Sequence, residues 1–373
     1  MEDIKFVDLG RQYQEIKEEV NVEISKVLEK GDFILGNSVK LFEDEFAKFC
    51  GTKYAVGVDN GTTALELALK VLNIGKDDEV ITVSNTFIAT TLAISAVEGK
   101  VVLTDIDEDT MLMDTSLIEQ LINEKTKAII PVHLYGQMVD MEKVMELANK
   151  YNLYVIEDCS QSHGATQNGQ KCGSFGHINC FSLYPGKNLG AYGDAGVIVT
   201  NEEQYYNSLI KIRNYGSSVK YYHDFLGKNA RLDTIQAAVL NVKIKYLNDW
   251  NKKRNYVANK YFELLKDIPG IKLPKIKENN YSVFHLFVIK TDFRDELMDY
   301  LNNFKIPTVI HYPIPIHLQK AYTNLGFKKG DFPITEKIAD QIISIPIHPN
   351  LFDTEIEYIT SKIKDFFKGK LNN

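Results

Sequence analysis

The 373-residue chain predicts an α/β fold, a mainly parallel sheet covered by helices on both faces, followed by a smaller α+β unit. Two observations lead there. Through the first two-thirds, short apolar runs alternate with helical patterns, as strand–helix–strand crossovers require. The length, 373 residues, exceeds one small domain and suits a large core with an appendage.

Taken in order, Tyr54–Val58, Glu79–Ser84, Val101–Asp105, Ala128–Val132 and Leu153–Glu157 read as strands. Helical stretches near 62–73, 86–98, 115–124 and 138–151 lie between them. From about Leu232 to Leu265 the pattern is helical, without proline or internal glycine, until Ile268-Pro269-Gly270 breaks it. Beyond the break, Ser282–Lys290, Pro307–His311 and Ile342–Ile345 read as strands, with helices near 292–303 and 353–368. The division falls near the long helix, giving a large domain over 1–240 and a small one over 241–373.

At 44% hydrophobic and 25% charged residues, the composition is that of an ordinary globular protein. A net charge of −7 excludes nucleic-acid binding through bulk charge, though it leaves room for a local basic pocket around one phosphorylated ligand. Cys50, Cys159, Cys172 and Cys180 lack metal-ligand or CxxC spacing and read as reduced thiols; no metal is expected. The first residues lack the pattern of a signal peptide, and no apolar run approaches a membrane span. A cytoplasmic location is the expectation.

The chemistry concentrates at strand ends, where ligands of such sheets collect. Asp158 ends one strand, and Lys187 lies in a loop beyond a later apolar run, just before a group of glycines. A carboxylate and a lysine so placed are what pyridoxal phosphate needs: the acid pairs with the protonated ring nitrogen, and the amine forms the Schiff base. Pairing with a cation also resolves the cost of a carboxylate on a buried strand. Gln161 can reach the ring's phenolic oxygen. Ser182 can donate to a phosphate. Gly61, Thr62 and Thr63 open a helix where the dipole favours an anion, although plain N-capping explains that turn as well. Phe87, at the next strand-to-helix junction, can stack on a flat ring or be a core phenylalanine. His163 either touches substrate or only satisfies its loop. The glycine spacings of dinucleotide and Walker sites are absent.

These residues, with Phe6-Val7-Asp8-Leu9, Gly36-Asn37-Ser38, Gly227 to Asp233 and His311-Tyr312-Pro313, resemble the DegT/DnrJ/EryC1/StrS sugar aminotransferases from end to end. The resemblance implies a fold-type I pyridoxal-phosphate enzyme with a seven-stranded type of sheet. It implies that Gly61, Thr62 and Ser182 bind the cofactor phosphate, Phe87 covers the ring, Asp158 and Gln161 hold its polar atoms, and Lys187 carries it. Asn229 would reach the phosphate across a homodimer with shared sites. Pro131 to Gln137, Tyr184 to Ala191 and Tyr215-Gly216-Ser217 resemble the subgroup acting on dTDP-3-keto-6-deoxyhexoses, with L-glutamate as donor. The gluco sugar leads and its galacto epimer follows. Tyr184 and His317 are the candidate hexose contacts. Tyr221 and Arg231 are candidates for the nucleotide or diphosphate, each with an equally good structural role.

A 4-aminotransferase is the nearest competing reading, opposed only by the subgroup motifs. Sugar dehydratases of the family replace the lysine by histidine, which Lys187 opposes. A silent nucleotide-sugar sensor would have a damaged cofactor site, and a nicotinamide oxidoreductase would need the missing glycine fingerprint.

Overall fold

The computed structural model describes residues 4–371. The large unit begins with two helices, α1 (Leu9–Lys30) and α2 (Asn37–Cys50). Asp8 caps α1 by accepting from the Arg11 amide at 2.9 Å, and Gly31 ends it in the left-handed conformation. In α2, Val39, Phe42 and Phe46 recur on one buried face.

The alternating part follows as β1 (Tyr54–Val58), α3 (Gly61–Val71), β2 (Glu79–Val83), α4 (Ala89–Ala96), β3 (Lys100–Thr104), β4 (Thr126–Ile129), α5 (Met141–Tyr151) and β5 (Tyr154–Asp158). Then come β6 (Ile178–Ser182), β7 (Gly196–Thr200) and α6 (Glu203–Ile212). The seven strands form one sheet in the order β1-β7-β6-β5-β4-β2-β3. All pairings are parallel except the two made by β7. Side chains alternate across the sheet, and both faces are buried. Ile81, Ile129, Val155 and Phe181 pack with α2 and α5, while Val80, Ala128, Ile156 and Cys180 pack with α3 and α4.

The expected strands and helices of this part recur with shifted ends, save one. Residues 115–124 form only two short 3₁₀ turns, Thr115–Leu117 and Glu119–Leu121. Asp114 accepts from the amide and hydroxyl of Ser116, only two residues on, and Ile122 returns to extended backbone.

The long helix α7 spans Thr234–Leu265, and the expected division at 240/241 lies within it. Its first half packs on the sheet through Ala237 and Leu240; its second half joins another core through Val257, Tyr261 and Leu265. That core is built by the antiparallel pair β8 (Phe287–Lys290) and β9 (Ile342–Ile345) with α8 (Arg294–Asn303) and α10 (Asp353–Leu371); α9 (Pro333–Gln341) leads into β9.

Two strands expected here are cut short. Of 282–290 only Phe287–Lys290 pairs as strand. The Val283 amide instead bonds the Gly136 carbonyl at 2.9 Å, and Phe284 takes a positive φ of 40°. Of 307–311 only Val309 bridges, to Ser344, because the His311 carbonyl is taken by the Tyr135 hydroxyl. Both departures turn polar groups toward the carboxyl ends of the large sheet.

Glu157, one residue before the end of β5, is completely buried, and its carboxylate holds the loop into β6. It accepts from the amides of Gly173, Phe175 and Gly176 at 2.9, 2.8 and 2.9 Å, and from Nε2 of His133 at 2.9 Å. The His133 Nδ1 accepts the Val139 amide at 3.2 Å, so Nε2 carries the ring proton. Glu157→Ala should therefore strand four donors, two buried and two half-buried, and lower unfolding stability by about 3 kcal/mol or more. Urea unfolding followed by circular dichroism measures it, and an unmoved midpoint would mean the loop is held by something else.

Candidate active site

The ends of β1, β2, β5 and β6 open on one cleft of about 760 Å³. Each contributes through its last residue or those just after it, where the backbone turns into a helix or loop.

After β1, Asn60 caps α3, its side chain accepting the Thr63 amide at 2.8 Å. A Cβ on Gly61 would lie 2.6 Å from that of Ser182, so only glycine lets the first turn of α3 rest against the end of β6. The half-buried Thr62 and Ser182 hydroxyls and the free amides of the turn face the cleft together. That donor set suits a dianionic phosphate.

After β2, Phe87 is 53% exposed and lines the cleft, its ring 5.6 Å from that of Tyr312. One helical turn on, the buried Thr90 hydroxyl donates to Oδ2 of Asp158 at 2.9 Å. The Asp158 Oδ1 accepts the Ser160 amide at 3.1 Å. The carboxylate is thus held from two sides on the cleft wall. Gln161 is fixed likewise: its Oε1 accepts the Tyr135 amide at 2.7 Å, and Nε2 donates to the Tyr312 hydroxyl at 3.2 Å. One amide hydrogen remains for a further acceptor.

After β6, the backbone amide of Lys187 bonds the Tyr184 carbonyl at 2.8 Å, and its side chain enters the cleft. Burial pulls the amine down to about 8, with the Asp158 charge opposing the shift. A neutral, nucleophilic fraction is therefore present near pH 7 to 8. Around it the histidines are held neutral: burial first, then the Lys187 charge, lower His163 to about 3 and His311 to about 4.

An amine, a fixed carboxylate, an exposed aromatic face and a glycine-opened anion cradle converge here. They fit a phosphorylated pyridine aldehyde such as pyridoxal phosphate.

The chain matches the DegT/DnrJ/EryC1/StrS aminotransferase family model over residues 14–364. It belongs to that family. It is similar to the dTDP-3-amino-3,6-dideoxy-alpha-D-galactopyranose transaminase of Aneurinibacillus thermoaerophilus, at 45% identity over 97% of this chain and 99% of that protein. It is also similar to the dTDP-3-amino-3,4,6-trideoxy-alpha-D-glucose transaminase of Streptomyces venezuelae, at 42% identity over 93% of this chain and 92% of the relative. The solved structure of S. venezuelae DesV superposes with a TM-score of 0.97 and 40% identity, over 98% of this chain and 99% of that one. Similar solved structures hold the cofactor: NtdA of Bacillus subtilis with PMP, and a putative sugar aminotransferase of Streptococcus pneumoniae in its PMP and PLP forms. The chain is a pyridoxal-phosphate-dependent nucleotide-sugar aminotransferase.

Gly61, Thr62, Phe87, Asp158, Gln161, Ser182, Tyr184 and Lys187 all line the cleft. Five other candidates do not. His163 lies beneath it, fully buried, its Nε2 on the Ser182 carbonyl at 2.9 Å. His317 is also away from it, buried with its ring 4.6 Å from Phe332 and its Nε2 2.9 Å from Glu336. The expectation that His317 contacts the hexose is corrected for this chain, since its imidazole packs within the protein, and His163 takes its second alternative, a bond to the protein's own backbone. Arg231 bonds Asn214 at 3.3 Å and lies 5.4 Å from the Tyr215 ring. Asn229 is exposed and bridges Asn214, and Tyr221 is 81% exposed on the hairpin of Ser217–Val219 and Tyr222–His223.

Sequence reasoning missed Thr90, Lys228, His285 and His311 as cleft residues. Thr90 carried a signal, since helical spacing puts it on the same face as Thr86; its hydroxyl lies 3.1 Å from that of Thr86. Lys228 pairs with Glu66 at 2.6 Å, a partner 162 residues away that no local pattern announces.

The neutral histidines set an acid limit. Their folded pKa values lie below the unfolded value near 6.5, so the unfolded chain binds more protons between the two. Stability should be full above about pH 6.5 and fall as pH drops toward 4, by up to about 1.4 kcal/mol per pH unit for each histidine titrating. His163 (about 3), His311 and His348 (about 4 each) contribute in that window. Urea midpoints at pH 7.0, 6.0 and 5.0 should decline steadily before the carboxylates titrate; a flat series would mean these rings are not buried neutral.

Proposed function

We propose that the enzyme moves the amino group of L-glutamate to C3 of a dTDP-3-keto-6-deoxyhexose, releasing 2-oxoglutarate and a dTDP-3-amino-3,6-dideoxyhexose. The observation that carries the reaction type is Lys187, half-buried with its amine lowered to about 8, on one cleft wall with a doubly held Asp158. The choice of C3 draws on the motifs around Lys187 and on two relatives whose names are those of dTDP-3-amino-sugar transaminases. The sugars in those two names differ at C4, one being a 3,4,6-trideoxy glucose without a C4 hydroxyl and the other a 3,6-dideoxy galactopyranose. The gluco sugar is our leading substrate, the galacto epimer the second.

The bound cofactor supplies an electron sink for the carbon losing or gaining a proton. Everything else falls to the chain. Asp158, its charge aimed by Thr90 and Ser160, holds the proton on the ring nitrogen. Gln161 offers its remaining amide hydrogen to the ring oxygen. Gly61, Thr62 and Ser182 bind the phosphate and Phe87 covers the ring face. Lys187 holds the cofactor between turnovers; once free, its Nζ takes the proton from the glutamate Cα and returns one to the sugar carbon. Tyr184, 58% exposed at the cleft mouth, contacts the hexose.

The site is shared between two copies of the chain, with Asn229 reaching the neighbour's phosphate. Support comes from the stretch of chain that carries Asn229: the residue is exposed, and Val219, Tyr221, Tyr222 and Leu226, a few positions before it, are 61, 81, 71 and 96% exposed. Several large side chains so bare within eight residues are what a second protomer would cover. Tyr221 and Arg231, close to it in the chain, would then contact the nucleotide across the interface.

Lys187→Ala should lose turnover at least about 1,000-fold while remaining folded; retained activity would remove the lysine from the mechanism. Asn229→Ala should weaken cofactor retention, and mixed dimers with Lys187→Ala should recover activity in the one intact site. Recovery of none would argue against sharing. Offered 3-keto and 4-keto dTDP-6-deoxyhexoses side by side with L-glutamate, the enzyme should release 2-oxoglutarate with the 3-keto sugars alone. Release with the 4-keto sugar alone would overturn the position.

A further inference from the structure

A phosphate monoester carries close to two negative charges near neutral pH. Yet every donor that one copy of the chain gathers for it is neutral: the amides opening α3 and the hydroxyls of Thr62 and Ser182. Among the described residues that line the cleft there are two lysines, Lys187 and Lys228, and no arginine. Lys187 is taken by the aldehyde end of the cofactor. Lys228 has no part in the reaction as described so far.

A short ladder sets where Lys228 points. Its amide donates to the Ile212 carbonyl at 2.8 Å, and its carbonyl accepts from the Tyr215 amide at 3.0 Å. Asn229 bridges Asn214, and the Ala230 amide reaches the Arg213 carbonyl at 2.9 Å. Side chains alternate along such an extended run. Lys228 and Ala230 turn inward, the first to the cleft and the second to full burial, while Asn229 turns outward.

Inside, Lys228 Nζ meets Oε2 of Glu66 at 2.6 Å, and Lys70 Nζ meets the other oxygen, Oε1, at 2.8 Å. Burial pushes the Glu66 carboxyl up, but the hydrogen bonds from Lys228 and Lys70 outweigh it and hold it below the usual carboxylate range. One carboxylate shared by two ammoniums leaves the trio with a positive charge in excess. Of the two lysines, only Lys228 lines the cleft.

Glu66 stands four residues after Thr62, on the same face of α3 and about 6 Å further along its axis. The ion pair therefore sits one helical turn behind the anion cradle. Among the described residues Glu66 is the one acceptor for Lys228 Nζ, so two of its three hydrogens remain to be used.

We propose that Lys228 is a further cofactor-binding residue: its ammonium, anchored by Glu66, pairs with the phosphate held at Gly61, Thr62 and Ser182 and supplies the positive charge that this cradle lacks. The proposal rests on reading that turn as the phosphate cradle; neither the choice of sugar nor the sharing of sites enters it. Where sites are shared, adjacent residues serve different ones, Lys228 its own and Asn229 the neighbour's.

Pyridoxamine phosphate (PMP) and pyridoxamine differ only in the phosphate, and neither forms a Schiff base with Lys187. Calorimetric titration of the full-length enzyme freed of cofactor gives a Kd for each, and their ratio isolates what the phosphate contributes. Lys228→Met should lower the preference for PMP about tenfold or more, with pyridoxamine binding within about twofold of wild type. Lys228→Arg keeps the charge and should hold the preference within about threefold. An unchanged preference in Lys228→Met overturns the proposal, and so does an equal fall in both variants, which would report altered packing of the segment. A KM for the dTDP-sugar raised about tenfold with the preference unmoved would assign the lysine to the substrate's diphosphate and also overturn it. Ser182→Ala tests the cradle separately: no change in preference there would defeat the cradle reading, while Lys228→Met still decides whether the lysine meets the phosphate.

Discussion

The structure turns on how one strand accommodates two consecutive buried carboxylates. Glu157 and Asp158 end β5, and the alternation of a strand sends them to opposite faces. Neither could be buried bare. Glu157 is satisfied entirely by protein donors and so becomes a structural pin for the loop into β6. Asp158 is held by only Thr90 and Ser160, leaving its charge directed into the cleft. The same chemistry at adjacent positions thus splits into a scaffold and a site. What separates them is the number of donors each face provides.

That pin matters because everything after it is placed relative to β6. The Gly61 turn rests against Ser182 with no space for a side chain, so the anion cradle and the end of β6 move as one body. The Lys187 loop is tied further out, through Asn188 and Asn251, to α7 and to the segment before β8. Since α7 contributes to both the sheet core and the core around β8 and β9, it carries the geometry of one to the other. Long-range ties of this kind are what hold a catalytic amine within the tolerance that proton transfer demands.

How much of this was legible follows from the range of the interactions concerned. The sheet was readable because strand burial and helix amphipathicity are local patterns, and Asp158, Lys187, Gly61, Phe87 and Gln161 sit at fixed offsets from those strands. The 3₁₀ turns at 115–121 were not, because Asp114 competes for the backbone through its own side chain. The shortened strands near 283 and 309 were not, because the groups diverting them, Gly136 and Tyr135, lie far away in sequence. His163 and His317 looked like contacts because a histidine in a loop carries no mark of its burial. His285 was hidden for the opposite reason, a polar ring inside an apolar run that read as strand interior.

The histidines also show why position in such a cleft outweighs residue type. His163, His285 and His311 are each depressed by burial and by the positive charge of Lys187. Had any of them become charged at neutral pH, it would have repelled the amine and worked against Asp158. Kept neutral, they fill space around Lys187 with polarizable, weakly hydrated rings that exclude water without adding charge. Lys187 then titrates near neutrality in a cleft where Asp158 is held as a fixed carboxylate. A reaction that shuttles a single proton between two carbon centres needs that asymmetry, because a second base of similar strength would compete for the proton that Lys187 has to deliver.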